Sequence, residues 1–211
     1  YKQDTTGNAI YMVDATTGER LWWSSNSGAD LNIGNMVNGI PANVAAVDIT
    51  GDGHINYLFA SDTGGRVFRV DFNPNNSGAH DFAKGGAIAS FAGTGTTDNI
   101  RFYNKPNVAL VKDKQLGDYL TISIGSGHRA HPLQTVDVEN RFYMIKDFYP
   151  YSAPSLYAPK STADENKKSL SNNESANPYQ LYNATNLMLD GNKALTSDMK
   201  TLMTNGGGWY I

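Results

Sequence analysis

The chain has 211 residues and a formal net charge of −3 at pH 7. This length is sufficient for one sizeable domain with its own core, and the weak negative charge gives no attraction for nucleic acid or an anionic membrane. The absence of cysteine excludes structural disulfides, thiolate metal sites and cysteine nucleophiles. No apolar run approaches the roughly 18 residues that a membrane-spanning helix needs, so we expect no membrane span in this chain.

The composition favours strands over helices. The chain has 21 glycines and 12 tyrosines, whereas only 18% of its residues are charged. Many glycines and aromatic residues with few charges are typical of loop-rich β proteins rather than of helical bundles. We therefore predict an all-β fold.

Three predicted strands end in aspartate and form a degenerate repeat. They run from Ile10 to Asp14, from Arg66 to Asp71 and from Arg141 to Asp147. The first is followed by a turn from Asp14 to Gly18 and by a return strand that begins at Leu21-Trp22-Trp23, and such a hairpin is typical of propeller blades. Because the repeats are irregularly spaced, blades of the usual ~40–50 residues must carry insertions.

Other strands follow from alternation and turn residues. Val67 and Phe68 are expected on opposite faces of the second repeat strand, because successive side chains of a strand alternate. Apolar runs predict two more strands at Asn107–Val111 and Tyr119–Gly125, joined through a turn at Gly117-Asp118.

A loop with oxygen-bearing residues at alternate positions carries the most informative chemistry. It reads Asp48-Ile49-Thr50-Gly51-Asp52-Gly53-His54-Ile55-Asn56 and lies between the apolar runs Val44–Val47 and Tyr57–Ala60, which are predicted to be short strands. In a calcium-binding loop, positions 1, 3, 5 and 9 supply side-chain oxygens and position 7 supplies a backbone carbonyl. The predicted ligands are the side chains of Asp48, Thr50, Asp52 and Asn56 and the carbonyl of His54.

The surroundings of this loop predict a weak calcium site on a β scaffold. Gly53 at position 6 permits the sharp turn, whereas Phe59 at position 12 replaces the bidentate glutamate of a helix-loop-helix site. With two carboxylates the expected dissociation constant is ~10⁻⁴ to 10⁻³ M, and the rigid octahedron of magnesium suits the loop less well. Asp62, one strand later, is a candidate additional ligand if the hairpin folds back. The alternative is that Asp48 and Asp52 only cap a glycine turn.

The later part of the chain contains fewer clear elements. The segment Asn73–Gly95 is rich in Asn, Gly, Ser and Ala and is predicted to be a surface connection. An insertion is expected around residues 150–205. Within it, Lys160–Asn177 is predicted to be a polar loop and Leu187–Met203 a short helix with an apolar face.

The end of the sequence predicts a strand that needs a partner. The strand begins in the run Gly206 to Ile211, and Trp209 would need a neighbouring strand to cover it. A propeller needs about four blades or more, and the sequence contains signals for about three. We therefore expect residues 1–211 to be part of a longer protein, the remainder of which is absent.

Two further groups of residues are candidate binding sites. The stretch Gly125 to Leu133 has two histidines beside an arginine and could bind a metal or a phosphate, but it fits no catalytic spacing. The alternative is that these side chains hydrogen-bond loop carbonyls and hold an insertion to the sheet. Trp22-Trp23 and Tyr149-Pro150-Tyr151 could form a sugar-binding surface, although such aromatic residues more often belong to a core or its rim.

Several motifs occur together in an order that resembles a known family. They are Asp48 to Tyr57, Asp62 to Gly65, Phe68 to Asp71, Phe102 to Ala109, Gly125 to Pro132 and Arg141 to Tyr143. Over roughly residues 7–150 the chain resembles the C-terminal β-propeller domain of PilY-family proteins, the tip-associated adhesins and biogenesis factors of type IV pili. The resemblance implies part of a modified β-propeller with loop insertions, located at the pilus tip on the cell surface.

The resemblance also implies a function for the loop. It implies contact with minor pilins and with a host or abiotic surface, no enzymatic activity, and regulation of pilus extension against retraction by calcium. The ligands it implies are Asp48, Thr50, Asp52, the His54 carbonyl and Asn56. The family usually has Asp or Asn where this chain has Thr50 and Asp where it has Asn56, which again predicts weak binding. Two alternatives are a propeller enzyme similar to quinone-dependent dehydrogenases and a glycan-binding propeller module.

Overall fold

The computed structural model describes residue 4 and residues 6–73, 82–91, 99–130, 132, 138–154, 157, 181–185 and 206–211. Its strands are β1 (Ile10–Val13), β2 (Arg20–Ser25), β3 (Leu31–Asn32), β4 (Ala45–Val47), β5 (Tyr57–Ser61), β6 (Arg66–Phe72), β7 (Ala83–Ser90), β8 (Asn107–Val111), β9 (Tyr119–Gly125), β10 (Phe142–Asp147), β11 (Tyr182–Asn183) and β12 (Gly208–Tyr210). These residues include no helix long and apolar enough to cross a membrane. The all-β prediction is confirmed for the part of the chain that the structure describes.

The described strands form three sheets, two of which contain a four-stranded antiparallel meander. The meanders are β4-β5-β6-β7 and β8-β9-β10-β12. Strand β11 pairs in parallel with β12 and extends the second of these sheets. The third sheet is the antiparallel hairpin β1–β2, to which the short β3 adds in parallel.

The sheet β4–β7 lies between the other two and shares a core with each. On one face, Val67 of β6 belongs to a cluster that includes Ile122 of β9 and Tyr143 of β10. On the other face, Phe68 of β6 belongs to a cluster that includes Trp22 of β2. The predicted alternation of Val67 and Phe68 is therefore confirmed, and β6 is covered on both faces.

The three predicted strands that end in aspartate fall in three different sheets, because β1 pairs with β2, β6 lies in the sheet β4–β7 and β10 lies in the sheet that contains β8 and β9. Asp14 follows β1 and caps an exposed turn by accepting hydrogen bonds of 2.8 Å from the backbone N–H groups of Thr16 and Thr17. Asp71 and Asp147 instead lie within β6 and β10 and are buried. Asp71 and Asp147 therefore lie in the third strand of their respective meanders, whereas Asp14 lies outside the meanders and caps a turn.

The prediction of a surface connection over Asn73–Gly95 is wrong at Ala83–Ser90, which form the strand β7. This strand reads Ala-Lys-Gly-Gly-Ala-Ile-Ala-Ser and has a single large apolar residue, Ile88, so it lacks the bulky pattern on which strand prediction relies. Its small residues allow other side chains to approach closely. A Cβ added at Gly86 would lie 2.5 Å from the Cβ of Tyr157. Glycine therefore serves packing here rather than a flexible connection.

The predicted insertion around residues 150–205 falls only partly within the described residues. The polar stretch Lys160–Asn177 and the predicted helix Leu187–Met203 lie outside them. Of the described parts, Tyr157 packs against β7, and residues 182–183 form β11. The insertion therefore contributes contacts to both meander-containing sheets.

Candidate functional site

The five predicted metal ligands lie together in the loop that joins β4 to β5, residues 48–56. A hydrogen bond of 2.9 Å from the Asn56 N–H to the Val47 carbonyl closes the loop, next to the register pair Val47–Tyr57. The Asn56 carbonyl accepts a second bond of 2.9 Å from the N–H of Phe72 at the end of β6. The last predicted ligand is therefore anchored to the sheet on both sides.

Asp48 organises the first half of this loop. Its Oδ1 accepts hydrogen bonds from the Gly51 N–H at 2.7 Å and the Thr50 hydroxyl at 3.2 Å, and its Oδ2 accepts one from the Gly53 N–H at 2.8 Å. Both glycines have positive φ, 73° and 86°, which side-chain-bearing residues rarely adopt. These bonds, that from Gly53 foremost, hold the pKa of Asp48 below its usual value against the opposing effect of desolvation. The carboxylate is therefore ionised at neutral pH.

Asp52 and Asn56 organise the second half. The Asp52 Oδ1 accepts a hydrogen bond of 2.9 Å from the His54 N–H and lies 3.3 Å from the His54 Nδ1. The backbone bond is the main reason that the pKa of Asp52 is also lowered. The Asn56 Oδ1 accepts a bond of 2.8 Å from the Ile49 N–H. The loop thus holds a second ionised carboxylate and an amide oxygen close to the first.

The oxygens of the loop suit a hard cation. Calcium takes 6–8 oxygen ligands from carboxylates, carbonyls, amides and water. The Thr50 hydroxyl donates its hydrogen to Asp48, which leaves its own lone pairs available, and the Asn56 Oδ1 accepts one bond where an amide oxygen can accept two. Within the described ranges, no three His, Asp or Glu side chains gather into a metal site. A cation in this loop would therefore depend on neutral oxygens as much as on the two carboxylates.

Asp62 does not contribute to the loop. It follows the opposite end of β5, roughly 17 Å away for an extended strand of this length. Its carboxylate is fully buried and accepts hydrogen bonds from the backbone N–H groups of Gly64 at 2.9 Å and Arg66 at 2.8 Å. Burial raises the pKa of Asp62 to about 6, although the two N–H donors and the Arg66 guanidinium oppose the change. The predicted extra ligand instead organises the β5–β6 turn.

The raised pKa of Asp62 predicts a pH-dependent stability. Because this pKa rises from 3.8 to about 6 on folding, the stability it confers is present below pH 3.8 and is lost as the pH rises through about 6. The full change is at most roughly 3 kcal/mol. Asp62→Asn keeps an acceptor for the two backbone N–H groups but does not titrate. In urea unfolding at several pH values, the free energy of unfolding of the variant should increase relative to that of the native chain as the pH rises. A difference in stability that does not change with pH would contradict the prediction.

A buried arginine joins the two meanders, and sequence reasoning missed it. Arg69 of β6 is fully buried, and its Nε lies 3.1 and 3.0 Å from the two carboxylate oxygens of Asp71. Its Nη1 donates a bond of 2.8 Å to Asp147 of β10, and its guanidinium lies 4.3 Å from the ring centre of Tyr57. The Tyr157 hydroxyl donates to Asp71 at 2.7 Å. We call these five residues the arginine cluster.

The arginine cluster also holds a surface segment, residues 149–152. The guanidinium donates to the Tyr149 carbonyl at 3.0 Å and to the Ser152 carbonyl at 3.1 Å. Between them, the Tyr57 hydroxyl donates to the Pro150 carbonyl at 2.9 Å. Together with the bonds to the two aspartates, these contacts give every N–H group of the guanidinium an acceptor. Three backbone carbonyls of the segment thus accept hydrogen bonds from the buried side chains of Tyr57 and Arg69.

The sequence contained a partial signal for this cluster. Arg69 stands between the apolar residues Phe68 and Val70 in a strand, where a charged side chain is rarely buried unless it is paired. Asp71, two residues later, is on the same face and is a plausible partner by spacing alone. Asp147 is far away in the sequence, and only the packing of the two sheets brings it close.

The aromatic candidates divide between core and surface. Trp22 is 2% exposed and packs at an angle against Phe72 and Phe82, with ring centres 5.6 and 6.5 Å away. Trp23 lies on the other face of β2, where its ring stacks on Tyr11 at 5.7 Å. Trp22 is therefore a core residue and offers no free surface for stacking.

The stretch after β9 is attached to its neighbours by backbone bonds. The Ser126 N–H donates to the Arg141 carbonyl at 2.8 Å. The ring of His128 stacks on Tyr103 at 5.9 Å, and His131 lies outside the described residues. These contacts attach the stretch to Arg141 and to Tyr103, and both the binding of a metal or phosphate and the hydrogen bonding of loop carbonyls by its side chains stay predictions.

The fold and the loop together define an all-β domain of stacked sheets that carries an oxygen-rich loop at one end. Among solved structures, the chain is similar to the C-terminal domain of Pseudomonas aeruginosa PilY1, with a TM-score of 0.57 and 14% sequence identity. The match covers 99% of this chain and 45% of that domain. The chain therefore has a fold distantly related to part of that domain and spans less than half of its length. No protein-family model and no curated protein matches the sequence.

Proposed function

We propose that the chain is part of a PilY-type tip-associated adhesin and biogenesis factor of type IV pili. The observation that carries this proposal is the structural similarity to the PilY1 C-terminal domain over 99% of the chain. Two of the motifs support it, because Phe68 to Asp71 lies in β6 and supplies the buried Arg69, and Asp48 to Tyr57 joins β4 to β5. In this proposal the protein acts at the pilus tip on the cell surface, contacts minor pilins and a host or abiotic surface, and is not an enzyme.

Three features support a modified β-propeller as the architecture. The chain forms two consecutive four-stranded antiparallel meanders, and a propeller blade is a four-stranded sheet of this kind. The sheets pack face to face through two separate cores. The first strands of the two meanders, β4 and β8, contact each other, as expected for strands that line a central axis.

The loop of residues 48–56 is the proposed calcium site. Its carboxylates are ionised, its oxygens are of the types that calcium prefers, and its exposure allows water to complete the coordination. Bound calcium would supply a positive charge that draws these oxygens together. We propose that its occupancy regulates pilus extension against retraction. The proposed ligands are Asp48, Thr50, Asp52, Asn56 and the His54 carbonyl.

Calorimetric titration with calcium chloride tests the site. We expect a dissociation constant of ~10⁻⁴ to 10⁻³ M for the native chain, weaker binding of magnesium, and no measurable heat of binding for Asp48→Asn. Asp113→Asn is a matched control. Asp113 lies in the corresponding loop between β8 and β9 and caps the N–H groups of Gln115 and Leu116 at 2.8 and 3.0 Å. Its replacement disturbs a capped turn but should leave calcium binding unchanged.

Two outcomes would contradict the proposal. If the native chain gives no calcium heat, the loop is a capped glycine turn and the site does not exist. If the full-length protein carrying Asp48→Asn supports normal surface piliation and twitching in a strain that lacks the native gene, calcium in this loop does not regulate the pilus. We expect fewer surface pili and reduced twitching in the deletion strain.

A further inference from the structure

The proposed calcium loop and the surface segment of residues 149–152 are connected through one residue. The last predicted ligand, Asn56, directly precedes Tyr57, the first residue of β5. The Tyr57 hydroxyl donates to the Pro150 carbonyl at 2.9 Å, and its ring packs against the guanidinium of Arg69 at 4.3 Å. Every link between loop and segment is thus a covalent bond, a hydrogen bond or a direct ring contact.

Calcium binding would change the bonding of the Asn56 side chain. In the structure its Oδ1 accepts the Ile49 N–H at 2.8 Å. As a calcium ligand, this oxygen would share its lone pairs with the metal, and the loop would contract around the new charge. The backbone of Asn56 is bonded to Val47 on one side and Phe72 on the other. A change in the loop therefore acts on the start of β5 rather than being absorbed by a free hinge.

The segment is built to present aromatic side chains in one position. Tyr149 and Tyr151 are 46% and 59% exposed, yet the carbonyls around them are held by buried donors. The Tyr151 hydroxyl donates to Asp118 at 2.7 Å. Rigid tyrosines are effective contact residues because they bury much area at a small entropic cost. A segment held in this way is suited to contact a protein partner.

Resting on the proposed function, we propose that calcium in the loop controls the order of residues 149–152 through Tyr57 and Arg69. Calcium restrains the loop, which restrains the start of β5 and the Tyr57 hydroxyl. The bond to Pro150 then opens less often, and the two exposed tyrosines stay in position. The metal site would act on a contact surface beyond its own ligands, and Tyr57 and Arg69 are the positioning residues of this connection.

Hydrogen–deuterium exchange, followed by mass spectrometry, tests the proposal on the native chain. With about 10 mM calcium chloride, roughly tenfold above the weakest expected dissociation constant, exchange should slow at least about threefold both in the loop peptide and in a peptide spanning residues 147–154. In Tyr57→Phe, which keeps the ring but loses the hydroxyl, the loop should still respond and the segment should not. Tyr143→Phe, a buried tyrosine at the other end of β10, should behave like the native chain.

The outcomes separate this inference from the function on which it rests. Slower exchange in the loop without any change in residues 147–154 overturns the inference and leaves the calcium site intact. An unchanged response of the segment in Tyr57→Phe overturns the route through the hydroxyl. No response in either peptide of the native chain overturns both the calcium site and the inference. The experiment on the native chain alone shows whether calcium slows exchange in the segment, so the proposal can be tested even if Tyr57→Phe does not fold.

Discussion

Replacing Arg69 with methionine is expected to lower the free energy of unfolding by about 3–5 kcal/mol. The variant leaves Asp71 and Asp147 buried at 5% and 4% exposure without their counter-charge. Burial already raises the pKa of Asp71, and Arg69 is the main group that opposes this. Without the arginine the pKa of Asp71 should rise further. The loss in stability should therefore grow as the pH rises through that pKa, which urea unfolding at several pH values measures.

Two controls identify the cause of this loss. Arg20→Met removes an exposed arginine that lies 5.2 Å over Trp23 and should change stability by less than about 1 kcal/mol. Combining Arg69→Met with Asp71→Asn and Asp147→Asn should recover part of the loss, because no unpaired charge then remains in the core. A loss below about 1 kcal/mol in Arg69→Met would show that the cluster does not depend on its charges.

Replacing Gly208 with alanine is expected to lower the free energy of unfolding by more than about 2 kcal/mol. Gly208 begins β12 opposite Ile145 of β10 and has a φ of +132°, which alanine rarely adopts. An added Cβ would also overlap the carbonyl oxygen of Met144. Because this contact is with backbone, no side-chain rotation can relieve it, and β12 must move away from β10.

Gly127→Ala is the matched control for this substitution. No atom lies within 4 Å of the position that its Cβ would take, so we expect a change within about 0.5 kcal/mol. Urea unfolding measures both variants, and amide exchange in a peptide covering β12 shows whether that strand has separated. Equal stabilities for the two variants would contradict the close packing of β12 on β10.

Strands bounded by turn residues could be predicted from the sequence. The predicted strands Asn107–Val111 and Tyr119–Gly125 have the observed bounds of β8 and β9, because both are rich in apolar and β-branched residues and flank a turn. The loop of residues 48–56 could likewise be placed, since both its flanks and its glycines are local signals. Within this loop, Asp48 accepts hydrogen bonds from Gly51 and Gly53, so these contacts also depend only on residues that are close in the sequence.

Features that depend on distant residues could not be predicted. β7 consists mainly of small residues, and the reason for them is visible only in the packing of Tyr157 on Gly86. The pairing of Arg69 with Asp147 joins strands that are far apart in the sequence. The residue type of Asp62 predicts a further ligand, yet an intervening extended strand separates it from the loop. In each case the missing information was the arrangement of the sheets.

The two-sided burial of β6 has a consequence for how the chain folds. One core needs β6 together with β9 and β10, and the other needs it together with β1 and β2. A fragment that stops before residue 142 would lose the β10 side chains Tyr143 and Ile145 from the first core, and a fragment that starts after residue 25 would lose Ile10 and Trp22 from the second. Because both cores meet on β6, we expect the three sheets to gain and lose their structure in a single cooperative transition.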